Sequence, residues 1–202
     1  MINSKPNTVG AKPQPSMPFF RPQFALYHAS PKGIGGALKM ALHPAHDAVD
    51  GSIWITLANQ MTIGDRRGPN PVYPRFDWEN SISIKLDFND LCQLLQVLRG
   101  ECESINDGKG LYHSSTSGTT RIVFRHLIEP VSCYSLEVYR SPRNGGEDQN
   151  AHFTFSACEA GGICDAIADS MGVIAFGIPI VQSHDTSAYE AKVKEMRNAV
   201  AA

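Results

Sequence analysis

The feature that most constrains the fold of this chain is a strict alternation of apolar and polar residues in two separate segments. Between Ser81 and Phe88 every second residue is apolar, and the intervening residues are Ser, Ser, Lys and Asp. The segment Ser52–Met61 alternates as well, with isoleucines and a leucine on one side and Trp54 on the other. Because successive side chains of a β-strand point to opposite faces, both segments are predicted to be half-buried strands.

Helix signals follow strand signals twice along the chain. Asn89 is predicted to cap a first helix, in which leucines recur at helical spacing until Gly100 ends it. Ser156 is predicted to cap a second helix, with Glu159 completing a capping box. The other predicted strands are Leu111–Ser115, Thr119–Ile128, Cys133–Arg140 and His152–Phe155, and the stretch Phe24–Leu42 is extended but interrupted by glycines. Strands followed by a helix, twice over, predict an α+β fold with antiparallel sheets and both helices packed on one side.

The composition divides the chain into a domain and two tails. Residues 1–22 are rich in Pro, Asn, Lys and Ser and are predicted to be a disordered arm, and residues 180–202 are a polar tail with a short helix predicted over Ser187–Val200. The domain is predicted over residues 23–179. The arm has neither the apolar stretch of a secretory signal nor the Arg and Ser density of a transit peptide, and no apolar run in the chain reaches about 18 residues. We therefore expect a cytoplasmic protein without a membrane span.

The charge and the cysteines restrict the function further. The net charge is −2, yet the first 46 residues contain no Asp or Glu, whereas residues 144–191 contain no Lys or Arg. A basic face can therefore exist in a chain that is nearly neutral overall. The cysteines number five and form no Cys-x-x-Cys pair, which favours reduced thiols over a disulfide framework. Cys92, Cys158 and Cys164 lie among apolar residues of the helices and are predicted to be core residues.

Three short segments, in this order of elements, resemble the Whirly and positive-cofactor-four group of single-stranded DNA-binding proteins. Lys32-Gly-Ile-Gly-Gly-Ala-Leu38 is similar to the Lys-Gly-Lys-Ala-Ala-Leu segment of plant Whirly proteins, although Ile34 or Gly35 stands where the second lysine would be. Phe76-Asp77-Trp78 is similar to their Tyr-Asp-Trp strand start, and Val173–Gly177 to the end of their second helix. The resemblance implies two four-stranded antiparallel sheets, each followed by a helix. It also implies a homotetramer in which the second helices pack centrally.

A protein that binds single strands needs cations that follow the phosphates and flat side chains on which bases stack. The candidate cations are Lys32, Lys39, Lys85, Arg121 and Arg125, and the candidate stacking residues are Trp54, Trp78 and Tyr112, with Tyr27 and Tyr139 also considered. Gly33, beside Lys32, would let a nucleic-acid backbone come close.

Each candidate has a structural alternative. The two arginines could belong to a solvated strand face with ion pairs to Glu137 or Asp87. Trp54 could pack on another subunit, Trp78 could fill the rim of the core, and the glycines after Lys32 could form a β-bulge without a ligand.

The sequence carries no pattern that favours an enzyme. His43 and His46 are separated by a proline and lack a third ligand, and neither a GxSxG nor a Walker A motif is present. We therefore predict a protein without cofactor or metal that binds single-stranded DNA largely independently of sequence, in replication, recombination or conjugative transfer. Two alternatives stay open: an RNA-binding protein, because kinetoplastid-type guide-RNA binders share this architecture, and a protein–protein module of transcription or replication.

Overall fold

The computed structural model describes residues 22–178, except residues 47, 48, 66 and 68. Nearly all of the predicted arm, and the tail with its predicted helix Ser187–Val200, lie outside the described residues. No helix in the described part of the chain is long and apolar enough to cross a membrane.

The first sheet is antiparallel and consists of five strands. They are β1 (Gln23–His28), β2 (Gly36–His43), β3 (Ser52–Thr62), β4 (Arg75–Phe76) and β5 (Ile82–Leu86). The order across the sheet is β1-β2-β3, and both β4 and β5 pair with the free edge of β3. The extended stretch Phe24–Leu42 is thus two strands, with a glycine-containing loop between them. The helix α1 (Phe88–Leu98) follows directly.

The second half repeats this order. The strands β6 (Leu111–Ser114), β7 (Gly118–Leu127), β8 (Cys133–Pro142) and β9 (Gln149–Ser156) form an antiparallel sheet in sequence order, and α2 (Ala157–Phe176) follows. The predicted α+β fold, with two antiparallel sheets each followed by a helix, is confirmed. The first sheet has one strand more than expected because the two-residue β4 pairs with the end of β3.

The start of α1 corrects the predicted cap. Asp87, not Asn89, is the N-cap: its carboxylate accepts from the Asp90 backbone N–H at 3.0 Å, and the Asp90 carboxylate accepts from the Asp87 N–H at 3.2 Å. Asp87 is the last polar residue of the alternating strand, so strand and helix signals overlap there and the helix begins two residues earlier. The capping box of α2, formed by Ser156 and Glu159, is confirmed.

Both sheets and both helices share one core. The inward residues of β2, β3 and β5 pack with those of β7, β8 and β9 and with the apolar faces of α1 and α2. Phe124 and Phe155 are buried within it, and Phe153 is among the largest fully buried side chains. The two outward sheet faces are therefore the surfaces on which polar and aromatic side chains reach solvent.

The prediction that the helical cysteines belong to the core is wrong for Cys92 and Cys158, which are exposed. Cys164 is half-buried and packs against the core. Cys92 follows Leu91 by one position, which is about 100° around the helix, and so it leaves the leucine face. The described cysteines are all free thiols, in agreement with the expected reduced state.

Two histidine–carboxylate contacts join each half of the chain to the helix of the other half. His28 on β1 lies 2.7 Å, Nε2 to Oε1, from Glu159 of the α2 capping box, and its Nδ1 lies 2.8 Å from the carbonyl oxygen of Thr154. His113 on β6 lies 3.0 Å, Nε2 to Oδ2, from Asp90 of the α1 capping box. Both acids occupy the third position of their helix, so the contacts are reciprocal. Each couples a helix start to a strand of the opposite half.

These contacts shift the pKa of His113 and of Glu159. The hydrogen bond with Asp90 raises the pKa of His113 against the opposing effect of partial burial. Partial burial acts to raise the pKa of Glu159, but hydrogen bonds from Ser156 and from His28 outweigh it and lower that pKa. The Glu159 carboxylate therefore remains charged at neutral pH, where it caps its helix.

The contact between His113 and Asp90 should make folding stability depend on pH. Because the folded pKa of His113 lies above its ordinary value of 6.5, its contribution is fully present below that pH and is lost as the pH rises through the folded pKa. We expect the free energy of unfolding of the wild type to exceed that of His113→Gln by up to about 1 kcal/mol at pH 5.5, with less difference at pH 8.5. Urea unfolding across this range measures it.

The matched control is His152→Gln, which changes an exposed histidine on β9. Its difference from the wild type should stay constant across the same pH range. If the His113→Gln difference were equally flat, the ion pair would contribute nothing to folding.

Candidate nucleic-acid interface

The outward face of the first sheet carries three of the predicted site residues. Trp54 on β3 pairs with Lys85 on β5, and both are exposed. One row further along the sheet, Lys39 on β2 pairs with Thr56. Trp54 is 38% exposed although its neighbours along the strand are buried. The alternation therefore places the Lys85 side chain and the Trp54 ring side by side on the solvent-exposed face, as cross-strand partners.

An open cleft of about 520 Å³ lies at one end of this face, and aromatic rings form most of its lining. Tyr27 comes from β1, and its ring centroid lies 5.5 Å from that of Phe76 and 6.3 Å from that of Trp78. Tyr73, Pro74 and Arg75 complete the wall together with Ala29. Tyr27 and Tyr73 are 58% and 64% exposed. Because both tyrosines are more than half exposed, the cleft offers aromatic surface to a ligand.

Cations flank the cleft. The ammonium group of Lys39 lies 5.8 Å from the centroid of the Trp78 ring, within the range of a cation–π contact. Arg75 lines the cleft and is exposed. The turn after the cleft is held by Asp77, whose pKa is lowered by hydrogen bonds from Asn80. Aromatic rings and positively charged side chains therefore lie close together at this cleft.

The glycines after Lys32 serve the protein's own packing. A Cβ at Gly35 would collide with the carbonyl oxygen of His28 and with Oε1 of Gln60, and a Cβ at Gly36 would lie 2.7 Å from the carbonyl oxygen of His152. Gly33 has a φ of +75°, a conformation that favours glycine. The segment between β1 and β2 is a loop and not the β-bulge of the structural alternative, and the close backbone approach at Gly35 and Gly36 is within the chain. Lys32 itself is exposed at the tip of this loop.

The remaining predicted residues lie on the outward face of the second sheet. Tyr112, Arg121 and Tyr139 are consecutive cross-strand partners on β6, β7 and β8. Arg125 lies four residues beyond Arg121 on the same face of β7, with its guanidinium 3.9 Å from the Glu137 carboxylate. The hydrogen bond to Glu137 raises the pKa of Tyr139, so its hydroxyl stays protonated at neutral pH.

The two arginines are not equally available to a ligand. Arg121 donates from Nε to the Lys109 carbonyl oxygen at 2.9 Å and from a terminal nitrogen to the Gly108 carbonyl oxygen at 3.2 Å. Two donors of its guanidinium are therefore already used within the protein. The predicted ion pair to Glu137 involves Arg125, at a distance that allows only a weak contact.

Comparison with solved structures adds the fold relationship. The WHY1 protein of Arabidopsis thaliana superimposes with a TM-score of 0.61 at 12% sequence identity, and the match covers 89% of this chain and 93% of that chain. The chain has the Whirly fold. The predicted resemblance is confirmed for the fold, whereas the sequence itself matches no protein-family model and no curated protein.

Two further structures share the Whirly fold. The plant transcriptional regulator PBF-2 matches with a TM-score of 0.59 at 11% identity over 89% of this chain and 90% of that one. A guide-RNA-binding protein complex bound to a guide RNA matches with a TM-score of 0.50 at 16% identity over 75% of this chain and 90% of that one. The fold is thus found in a complex that holds RNA.

The Whirly fold brings some predicted residues together and separates others. Lys39, Trp54, Trp78 and Lys85 belong to the first sheet or its cleft, Lys32 and Gly33 to the adjacent loop, and Tyr112, Arg121 and Arg125 to the second sheet. Sequence reasoning did not select Tyr73, Arg75 or Phe76. Three aromatic residues within six positions, from Tyr73 to Trp78, were the available signal. In the described part of the chain, no group of His, Cys, Asp or Glu residues could hold a metal ion.

Proposed function

We propose that this protein binds single-stranded nucleic acid, in the first place DNA, in the aromatic cleft and along the outward face of the first sheet. The observation that carries the proposal is the cleft itself: four aromatic residues from two distant segments line it, with Lys39 and Arg75 at its sides. Stacking on each ring is worth about 1–3 kcal/mol per base. Cations beside the rings suit the phosphates that connect stacked bases.

The cleft favours unpaired strands over a duplex. An exposed ring such as Tyr27 or Tyr73 can stack only on a base that has an accessible face. In a duplex both faces of a base are covered by the neighbouring bases of the stack. Every base has such a face, so binding of this kind distinguishes little between sequences. Lys32 and Lys85, both exposed, would extend the contact to neighbouring phosphates. Tyr112, Arg121 and Arg125 remain in the proposal as contacts on the second sheet.

The solved relatives support the class of ligand. One protein complex of the same fold is bound to a guide RNA. The resemblance of the sequence to single-stranded DNA-binding Whirly proteins, and the higher TM-score to WHY1, favour DNA for this chain. RNA remains the second candidate because the fold accommodates it.

The test is a fluorescence titration that follows the two tryptophans while oligo-dT, oligo-U or duplex DNA is added at several salt concentrations. We expect quenching by oligo-dT, weaker binding of oligo-U and still weaker binding of the duplex. Three to four phosphate contacts predict a slope of log K against log [salt] between about −2 and −3, because each contact contributes about −0.7 on a single strand. Tighter binding of oligo-U would move the proposal to RNA. Absence of binding at low salt would favour the protein–protein module.

We extend the proposal to a homotetramer that packs through α2. Gly161, Gly162 and Gly172 face open space in the single chain, although glycine within a helix costs roughly 1 kcal/mol relative to alanine. Glycines at these positions would allow another helix to pack closely against α2. Phe176 at the helix end is 91% exposed, and such packing would bury its ring. A solution mass equal to that of a single chain contradicts this assembly.

A cytoplasmic role on transient single strands in replication, recombination or conjugative transfer completes the proposal. Failure to crosslink the protein to cellular single strands counts against it.

A further inference from the structure

Gln60, near the end of β3, uses its whole side-chain amide on backbone groups. Oε1 accepts from the N–H groups of Ser30 at 2.7 Å and Gly35 at 3.0 Å. Nε2 donates to the carbonyl oxygens of Ser30 and Thr62, both at 3.0 Å. The side chain is 9% exposed. An amide has two acceptor positions and two donors, so every hydrogen-bonding position of this group is occupied.

These four bonds close the loop that carries Lys32. Ser30 and Gly35 stand on either side of Lys32, and the Ser30 carbonyl oxygen also accepts from Gly33 N–H at 3.1 Å. The backbone N–H of Gln60 donates to the Gly35 carbonyl oxygen at 2.8 Å. The loop between β1 and β2 is therefore attached to one residue of β3. Gln60 therefore fixes the position of this loop relative to β3.

The same residue lies next to the wall of the aromatic cleft. Gln60 is the register partner of Phe76, and the next contact along β3 is made by Thr62, whose hydroxyl accepts from Arg75 N–H at 3.1 Å. A second open cleft lies beside the aromatic one, lined by Ser30, Pro31, Gln60 and Arg67, and the two clefts share Ala29 and Pro74 in their walls. Gln60 thus lies between the loop that carries Lys32 and the strand β4, which carries Phe76.

We propose that Gln60 is a positioning residue for strand binding: it holds the Lys32 loop so that the ammonium group reaches the phosphate next to a base stacked in the aromatic cleft. This inference rests on the proposed function. It assigns Lys32 to the same ligand as Tyr27 and Trp78, although the lysine lies on the loop between β1 and β2 and those two rings line the cleft. The ligand class for the adjoining cleft is the phosphate of a single strand.

The hydrogen bonds of this site require an amide side chain at position 60 and a glycine at position 35. A glutamate carboxylate at position 60 could accept from Ser30 and Gly35 but would face two carbonyl oxygens with no donor. A side chain at Gly35 would displace Oε1, because the two atoms would collide. Gln60 and Gly35 therefore act as one unit that fixes the loop.

The experiment is a double-mutant cycle with Gln60→Leu and Lys32→Ala, measured as oligo-dT affinity against salt. We expect each single variant to lower the slope of log K against log [salt] by about 0.7 and the affinity at 0.1 M salt by about fivefold. In the Lys32→Ala background, Gln60→Leu should change the affinity by less than about twofold, since both variants remove the same contact. Gln96→Leu, which alters an exposed glutamine of α1, is the matched control and should have no effect.

A second variant covers the case in which Gln60→Leu does not fold. Gln60→Glu should bind oligo-dT weakly at pH 7.5, where the carboxylate lacks a donor, and recover toward the wild type at pH 5, where the neutral acid supplies one. The ratio to the wild type at the same pH isolates this recovery from other titrating groups. A merely structural role predicts no such recovery of the salt slope.

The outcomes separate the inference from the proposed function. If the wild type binds oligo-dT but Gln60→Leu has the same effect with and without Lys32, Gln60 does not act through the lysine and the inference is overturned. The inference is equally overturned if Lys32→Ala leaves the salt slope unchanged while the wild type binds. If the wild type does not bind at low salt, the proposed function fails, and the inference that rests on it fails as well.

Discussion

Replacing Tyr27 and Tyr73 together by alanine should lower the affinity for oligo-dT by about 100-fold, because two stacking contacts of about 1–3 kcal/mol each are lost and 1.4 kcal/mol corresponds to a factor of ten. Both rings are more than half exposed, at 58% and 64%, so the fold should tolerate the change. The slope of log K against log [salt] should remain that of the wild type, since no cation is removed. Fluorescence titration at constant salt measures the loss.

Phe88→Ala is the matched control, since it removes an exposed ring at the start of α1, outside the cleft. It should change the affinity by less than about twofold. Tyr112→Ala, made separately, measures the contribution of the second sheet on the same scale. A loss below threefold for the double variant would show that bases do not stack in the cleft.

Replacing Phe153 by alanine should cost about 3–5 kcal/mol of unfolding free energy, as is typical for a large buried aromatic side chain. The ring is 1% exposed. It stacks on the His28 ring at a centroid distance of 4.5 Å and lies edge-on to the Phe155 ring at 4.9 Å. Because β9 meets β1 and β2 at this point, the cavity left by the ring would weaken the contact between the two halves. Urea unfolding followed by circular dichroism measures the cost.

Phe24→Ala is the control for that substitution, because Phe24 lies on the edge strand β1 and is 41% exposed. It should cost less than about 1 kcal/mol. If Phe153→Ala leaves no folded protein, Phe153→Leu should remain folded with a loss near 1.5 kcal/mol. A loss under 1 kcal/mol for Phe153→Ala would mean that this ring does not bridge the two halves.

Both predictions depend on contacts between segments that are far apart in the chain. The cleft joins Tyr27 with rings nearly fifty residues later, and Phe153 meets His28 across a separation of more than one hundred residues. The sequence indicated single candidate residues in each segment. Tyr73, Arg75 and Phe76 were not selected because their value depends on what lies opposite them.

The segments of this chain that sequence reasoning predicted well carry their information locally. Alternation over Ser81–Phe88 and the capping box at Ser156 act within a few residues, because strand and helix periodicity and cap bonds are formed by near neighbours. The order of strands and helices, and with it the α+β fold, followed from such signals. The capping error at Asn89 was also local, since Asp87 two residues earlier has an equally suitable carboxylate.

What the sequence by itself determined is therefore the succession of half-buried strands and capped helices and the face on which Trp54 and Lys85 stand. Only the tertiary structure decided that Tyr27 and Trp78 border one cleft, that Gln60 holds the Lys32 loop, and that each helix start is bonded to a histidine of the opposite half. The physical reason is that strand register and the packing of two sheets on one core set these distances. No window of neighbouring residues contains the partners whose burial fixes that packing.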